Sequence, residues 1–127
     1  MVGAAVNWKR VEAWLVVLIA VHSYVIGLAL MFLTRWGTEF GGWGEVNTLF
    51  FPRQAGVFHL VVATGYLIEY FRHRSVALLL TAKCCAVVFL FSLTLLNGEP
   101  WPVPLSGVAD GLMGAMVLFV HLRARQS

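Results

Sequence analysis

Charged residues are scarce in this chain. Only 12% of its 127 residues are Asp, Glu, Lys or Arg, whereas 60% are hydrophobic, and the mean hydropathy is +0.82. A soluble domain of this length needs more polar surface than this to cover its core. The composition therefore excludes an ordinary soluble domain and predicts a single domain within a lipid bilayer.

A basic surface patch is also lacking. The formal net charge is +3, but the basic residues stand at the ends of apolar runs and are not interleaved with aromatic residues. Basic residues at the ends of apolar runs orient a membrane protein, whereas nucleic acid requires a continuous basic surface. We therefore expect no nucleic-acid partner.

Cysteine and catalytic motifs are rare or absent. Cys84 and Cys85 are adjacent within an apolar run, and neighbouring side chains on a helix diverge by about 100° and do not readily form a disulfide. The sequence contains no CxxC, no Cys/His metal spacing, no nucleophile motif and no phosphate-binding glycine loop. It favours a non-catalytic protein without a metal site.

Long apolar runs are what the chain has instead. Four runs, at about residues 12–34, 53–71, 76–96 and 104–123, reach the roughly 20 residues with which a helix crosses a bilayer. The first is too long for the hydrophobic region of a signal peptide, so we expect an uncleaved span. Short connections favour antiparallel neighbours. We predict an all-α fold, an integral membrane four-helix bundle with up-down-up-down topology.

The connections predict the topology. Residues 35–52 are rich in glycine and tryptophan, and we expect them to form a loop along the membrane surface. Only Arg35 and Arg53 lie on that side, and six basic residues lie on the other: Lys9, Arg10, Arg72, Arg74, Arg123 and Arg125. The positive-inside rule then predicts a multi-pass protein of the bacterial cytoplasmic (inner) membrane with both termini in the cytoplasm.

Ionisable residues inside the predicted spans are the candidates for function, because such groups are costly in hydrocarbon. His59 and Asp110 each lie about six residues from the outer end of a span, at the same depth. Arg53 lies above them, so we predict a polar intramembrane cluster of Arg53, His59 and Asp110. This cluster is either an outward-facing polar pocket or a packing seam with a satisfied His–Asp pair, and the sequence favours the seam.

Lys83 and Glu69 form a second predicted unit. Lys83 lies about seven residues from the cytoplasmic end of the third span, and its long side chain is expected to extend toward that end. Glu69 lies near the same boundary. We predict an ion pair that joins the second and third spans, and favour it over a proton relay.

His22 lies within about a turn of the depth of His59. Two histidines on different helices at one depth are able to ligate a haem b iron axially or to hold a quinone head group. Each histidine is also explained as a core residue bonded to a neighbouring helix, and this is the favoured interpretation.

Part of the chain, roughly residues 50–123, resembles small four-helix bacterial inner-membrane proteins that are loosely DoxX-like. The resemblance rests on Gly56-Val57-Phe58, Gly65-Tyr66-Leu67, the lone Lys83 and Gly107-Val108-Ala109-Asp110. It implies a four-helix inner-membrane protein. It implies no activity, so no catalytic residue follows from it.

The chain has almost no mass outside its apolar runs in which to place chemistry, while its aromatic loops and helix faces are available to partners. We therefore expect a non-catalytic accessory subunit of a larger membrane complex of respiratory or photosynthetic type, with lipid and other membrane subunits as partners. The alternatives are a redox or lipid-binding module that holds a quinone or haem through His22 and His59, and a small transporter component.

Overall fold

A computed structural model describes residues 5–127, and in them the chain is all-α. Five helices follow in order: α1 (Trp8–Phe32), α2 (Thr34–Phe40), α3 (Phe50–His73), α4 (Ala77–Asn97) and α5 (Pro102–Gln126). The all-α prediction fits this structure. The prediction of a four-helix bundle is wrong, because α2 is a fifth helix within the segment expected to be a loop.

Short-range side-chain contacts accompany the helix α2 and the bend between α1 and α2. The hydroxyl of Thr34 donates to the carbonyl of Leu30 at 2.6 Å, and that of Thr38 donates to the carbonyl of Thr34 at 3.1 Å. The rings of Trp36 and Phe40 stack at 5.2 Å, as residues four apart on a helix are placed to do. These local contacts compensate for a glycine in the middle of a seven-residue helix.

The long helices extend beyond the predicted apolar runs at several ends. The side chain of Asn7 accepts a hydrogen bond from the backbone of Arg10, so α1 begins at Trp8 and not at residue 12. Pro102 begins α5, a position that suits proline because no helical N–H is required there. The helices therefore include polar and charged residues at their ends that lie outside the predicted apolar runs.

Three helices of residues 5–127 are long and apolar enough to cross a membrane, namely α1, α4 and α5. The helix α3 is of similar length but carries more ionisable residues, including His59 and Glu69. The length and apolar composition of these three helices are compatible with a membrane protein.

The helices pack as two pairs. The helix α1 packs most extensively on α3, and α4 packs on α5, while α1 also contacts α5. By contrast, α3 and α4 have few contacts with each other although they follow one another in the chain. The main core lies among the helices and contains Val16, Ile19, Tyr66, Tyr70, Val76, Leu79 and Val117.

Two glycines bring α1 and α3 together. A Cβ atom added to Gly27 would lie 2.7 Å from the carbonyl oxygen of Gly56, and one added to Gly56 would lie 2.6 Å from the carbonyl oxygen of Gly27. Only glycine allows backbones to approach this closely, as at other small-residue contacts between membrane helices. This contact fixes the separation of α1 and α3.

The two ends of the bundle differ in character. The ring of Trp8 contacts that of Phe119 at 6.0 Å, and the Tyr70 hydroxyl lies 3.4 Å from the carbonyl oxygen of Lys9, so the start of α1 lies beside the ends of α3 and α5. We call this the basic end, since it carries Lys9, Arg10, Arg72, Arg74, Arg123 and Arg125. At the opposite, loop end, α2 packs on the connection before α5, with the rings of Phe40 and Trp101 5.7 Å apart.

Candidate functional site

A cavity of about 570 Å³ lies among α1, α3, α4 and α5. It occupies the middle of the bundle and the half toward the loop end. Its walls are mainly aliphatic and aromatic, and its polar lining includes His22, His59, Tyr66, Lys83, Ser106 and Asp110. Apolar walls with a few convergent polar groups are typical of a binding site for a small molecule.

An ion pair stands in this cavity. The Nζ atom of Lys83 lies 2.5 Å from Oδ1 of Asp110, and the two side chains are 8% and 16% exposed. The pair joins α4 to α5. Gly114, one turn from Asp110, leaves room for the Lys83 side chain. A Cβ atom added to Gly114 would lie only 3.3 Å from the Cβ of Lys83.

The structure does not form the predicted Glu69–Lys83 pair. A carboxylate oxygen of Glu69 accepts from the backbone N–H of Leu78 at 2.8 Å, and the other accepts from the Ser75 hydroxyl at 2.9 Å. The first N–H groups of a helix have no partner within it, so Glu69 caps the start of α4. Lys83 extends away from Glu69, toward the loop end and Asp110, and not toward the basic end as expected.

The predicted cluster of Arg53, His59 and Asp110 is divided. His59 and Asp110 line the same cavity, as their depth suggested, but the ion-pair partner of Asp110 is Lys83. Arg53 lies outside the cavity, in a shallow depression at the loop end beside Leu33 and Leu49. Depth along a helix placed His59 and Asp110 at one level but did not determine which side chains meet.

His22 and His59 also line the cavity together. They stand on α1 and α3, the two helices that touch at Gly27 and Gly56, and the Cβ of His59 itself would lie 3.1 Å from a Cβ on Gly27. Two axial ligands must stand on opposite faces of a porphyrin, with the ring between their helices. Helices in such close contact exclude the ring, so a haem held by this pair does not fit.

Metal ligation by another set of side chains is not supported either. Within residues 5–127, no three His, Cys, Asp or Glu residues are grouped so that they could hold a metal ion.

A second polar cluster, which the sequence did not predict, lies near the basic end. The Nδ1 atom of His121 lies 2.5 Å from Oε1 of Glu12, and the hydroxyl of Tyr70 donates to Oε2 of the same carboxylate at 3.2 Å. Glu12 is buried, and the cluster ties α1 to both α3 and α5.

A periodic pattern could have revealed this cluster. The buried face of α1 is Glu12, Val16, Ile19, Ala20, Ser23 and Gly27, a spacing of three and four residues. The predicted first span begins at residue 12, and Glu12 was not among the candidate residues, although its spacing places it on this face.

Buried apolar side chains separate the two polar clusters. Val16 and Ile19 of α1 lie between Glu12 and His22, and Val117 of α5 lies between Asp110 and His121; all three are buried. Leu79 of α4 is also buried and lies between the cavity residue Ala82 and the start of its helix at the basic end. The cavity is thus closed toward the basic end.

No protein-family model matches the chain, and neither a curated protein nor a solved structure matches it. The resemblance to DoxX-like proteins therefore stays a prediction, and the geometry of the cavity is the basis for a function.

Proposed function

We propose that this chain is an integral membrane protein that binds a neutral, lipid-soluble ring compound of the quinone type. The observation that carries the proposal is the cavity of about 570 Å³ with apolar walls and a buried Lys83–Asp110 pair. Its volume lies within the roughly 300–1,000 Å³ of small-molecule sites. An aromatic ring would contact the apolar walls while its polar substituents reach the polar side chains.

The charge of the cavity favours a neutral ligand. The formal charges of Lys83 and Asp110 cancel, and a further charge brought into this low-dielectric region would have no counter-ion there. The Lys83 ammonium has three N–H donors and the Tyr66 hydroxyl one. These donors suit the carbonyl oxygens of a quinone, and the free oxygen of Asp110 suits the hydroxyl of the reduced form.

The membrane arrangement follows from the charges at the ends. We propose that α3 crosses the bilayer with α1, α4 and α5, because it packs along α1 and directs His59 into the cavity. By the positive-inside rule, the six basic residues of the basic end support the proposal that both termini lie in the cytoplasm of a bacterial inner membrane. The cavity is displaced toward the opposite leaflet.

Calorimetric titration of the protein in detergent with a tailless benzoquinone tests the proposal. Saturable binding is expected, and filling the cavity with Ala86→Trp should abolish it, because Ala86 lines the cavity. Val88→Trp is the matched control on the same helix, since Val88 is 68% exposed and outside the lining. Ala55→Trp fills the cavity from α3 and replaces Ala86→Trp in the test if that variant does not fold. Equal binding by the filled variants and the control would contradict the proposal.

The accessory-subunit hypothesis stays a prediction. A partner subunit would use exposed apolar faces such as Trp14, Leu18 and Val25 of α1, but lipid covers such faces equally well. The transporter alternative also stays a prediction, and it would require a path through the buried apolar layer between the cavity and the basic end.

A further inference from the structure

We infer that the ligand is an amphiphile that enters the cavity from the lipid between α3 and α4 and leaves its apolar tail in that opening. This inference rests on the proposed function and specifies the class of ligand and its orientation. It follows from how the helices are paired and from the exposure of the residues around the cavity.

The helices α3 and α4 form the weakest side of the bundle. Each packs closely on another helix, α3 on α1 and α4 on α5, whereas the contacts between α3 and α4 are few. At the basic end they are joined by the bond from Leu78 to Glu69, and Leu78 also packs on Gly65, where an added Cβ would lie 2.8 Å from its Cδ2 atom. Above this junction both helices contribute side chains to the cavity.

Two phenylalanines mark the mouth of the cavity. Phe58 of α3 and Phe89 of α4 both line it, yet they are 58% and 61% exposed. Both stand near the middle of their helices, Phe50–His73 and Ala77–Asn97. The middle of a spanning helix faces hydrocarbon, so the mouth between them opens to lipid.

The floor of the cavity has the opposite character. Tyr66 is 3% exposed and Lys83 is 6% exposed, and the Lys83–Asp110 pair lies beside them. A polar, buried floor and an aromatic, exposed mouth fit a molecule that is polar at one end and apolar at the other. The head group lies at the floor, and the tail passes between Phe58 and Phe89 into the bilayer.

Photolabelling in lipid nanodiscs tests this orientation. The probe is a benzoquinone with an alkyl tail that ends in a diazirine, and labelled residues are mapped by mass spectrometry. The inference predicts labels on the facing sides of α3 and α4 around Phe58 and Phe89, and their loss when excess tailless benzoquinone competes for the cavity. The exposed face of α1 around Leu18 serves as the internal reference. Labels there that persist in the presence of tailless benzoquinone come from probe dissolved in the surrounding lipid.

The outcomes separate the inference from the proposed function. Competed labels on α2 or on residues 98–101 would show entry at the loop end, and would overturn the inference while the proposed function stands. If tailless benzoquinone displaces no label anywhere, the proposed function fails and the inference fails with it.

A pair of variants gives an independent readout. Phe89→Ala should lower the ratio of tailed to tailless benzoquinone affinity several-fold, because the tail loses its contact at the mouth while the floor is unchanged. Val88→Ala, at a similarly exposed position outside the cavity lining, should leave the ratio unchanged. A similar fall in both variants would contradict the inference.

Discussion

At the scale of residues, the main polar feature of the cavity is the ion pair between Lys83 and Asp110. Both side chains are largely withdrawn from the surface, at 8% and 16% exposure, where an unpaired charge is costly. The sequence identified both residues as functional candidates from their position in apolar runs. It assigned them to different partners, because depth gives a level along the bundle and not the direction in which a side chain points.

Replacing Asp110 by Asn should destabilise the fold by roughly 3–5 kcal/mol, because it leaves the Lys83 ammonium buried without its counter-ion. The double variant Lys83→Met/Asp110→Leu should recover most of that loss. Reversible unfolding in mixed detergent micelles measures both, with Glu39→Gln at an exposed position as the control. In a double-mutant cycle, a loss in the double variant Lys83→Met/Asp110→Asn equal to the sum of the losses in Lys83→Met and Asp110→Asn would show that the two groups do not interact.

The Glu12 cluster gives a second residue-scale prediction. Tyr70→Phe removes the hydroxyl that donates to buried Glu12, and the loss of this bond should cost about 1–3 kcal/mol because it leaves a carboxylate less satisfied. Tyr24→Phe is the matched control, since its hydroxyl contacts Thr64 at an exposed position, and it should cost less. Equal unfolding free energies for the two variants would contradict the role given to the cluster.

At the scale of elements, hydropathy predicted the positions of the long helices and missed α2. Runs of about 20 apolar residues are a signal that follows from the thickness of the bilayer. The seven residues of α2 have no such run, and their side-chain contacts are local: the Thr34 and Thr38 hydroxyls bond to carbonyls within about one turn, and the Trp36 ring stacks on Phe40. Contacts of this kind are invisible to a periodicity of apolar residues.

The glycine contact between α1 and α3 is the element-scale prediction. Gly27→Ala should weaken packing by roughly 1–3 kcal/mol, because the new methyl group would stand 2.7 Å from the Gly56 carbonyl oxygen. Gly37→Ala in α2 is the control, since an added Cβ there meets no atom within 4 Å. Thermal unfolding in detergent compares the two, and an equal midpoint would contradict the close approach of the helices.

At the scale of the whole molecule, the sequence predicted a polar level within the bundle, and it gave a polar pocket only as the alternative to a favoured packing seam. His22, His59 and Asp110 do share one cavity, as their depths indicated. The cavity itself depends on the pairing of α1 with α3 and of α4 with α5, and on the few contacts between α3 and α4. Such pairing is decided by side-chain packing across the whole fold, which the apolar pattern of each helix does not encode.

The charge distribution gives the whole-molecule prediction. With Cys84 and Cys85 replaced by alanine, single cysteines introduced as Ser127→Cys and Asn47→Cys should react with an impermeant thiol reagent from opposite sides of intact membrane vesicles. The expectation follows from the six basic residues at the basic end and the positive-inside rule. Reaction of both cysteines from the same side would overturn the proposed topology.

The central claim is that the cavity among α1, α3, α4 and α5 holds a lipid-soluble ring compound. A structure of the chain determined in lipid nanodiscs with a tailed benzoquinone tests it most directly. The account predicts the ring inside the cavity, with a carbonyl oxygen within hydrogen-bond distance of Lys83 or Tyr66. A cavity closed by repacked side chains, with the quinone found only in the surrounding lipid, would contradict it.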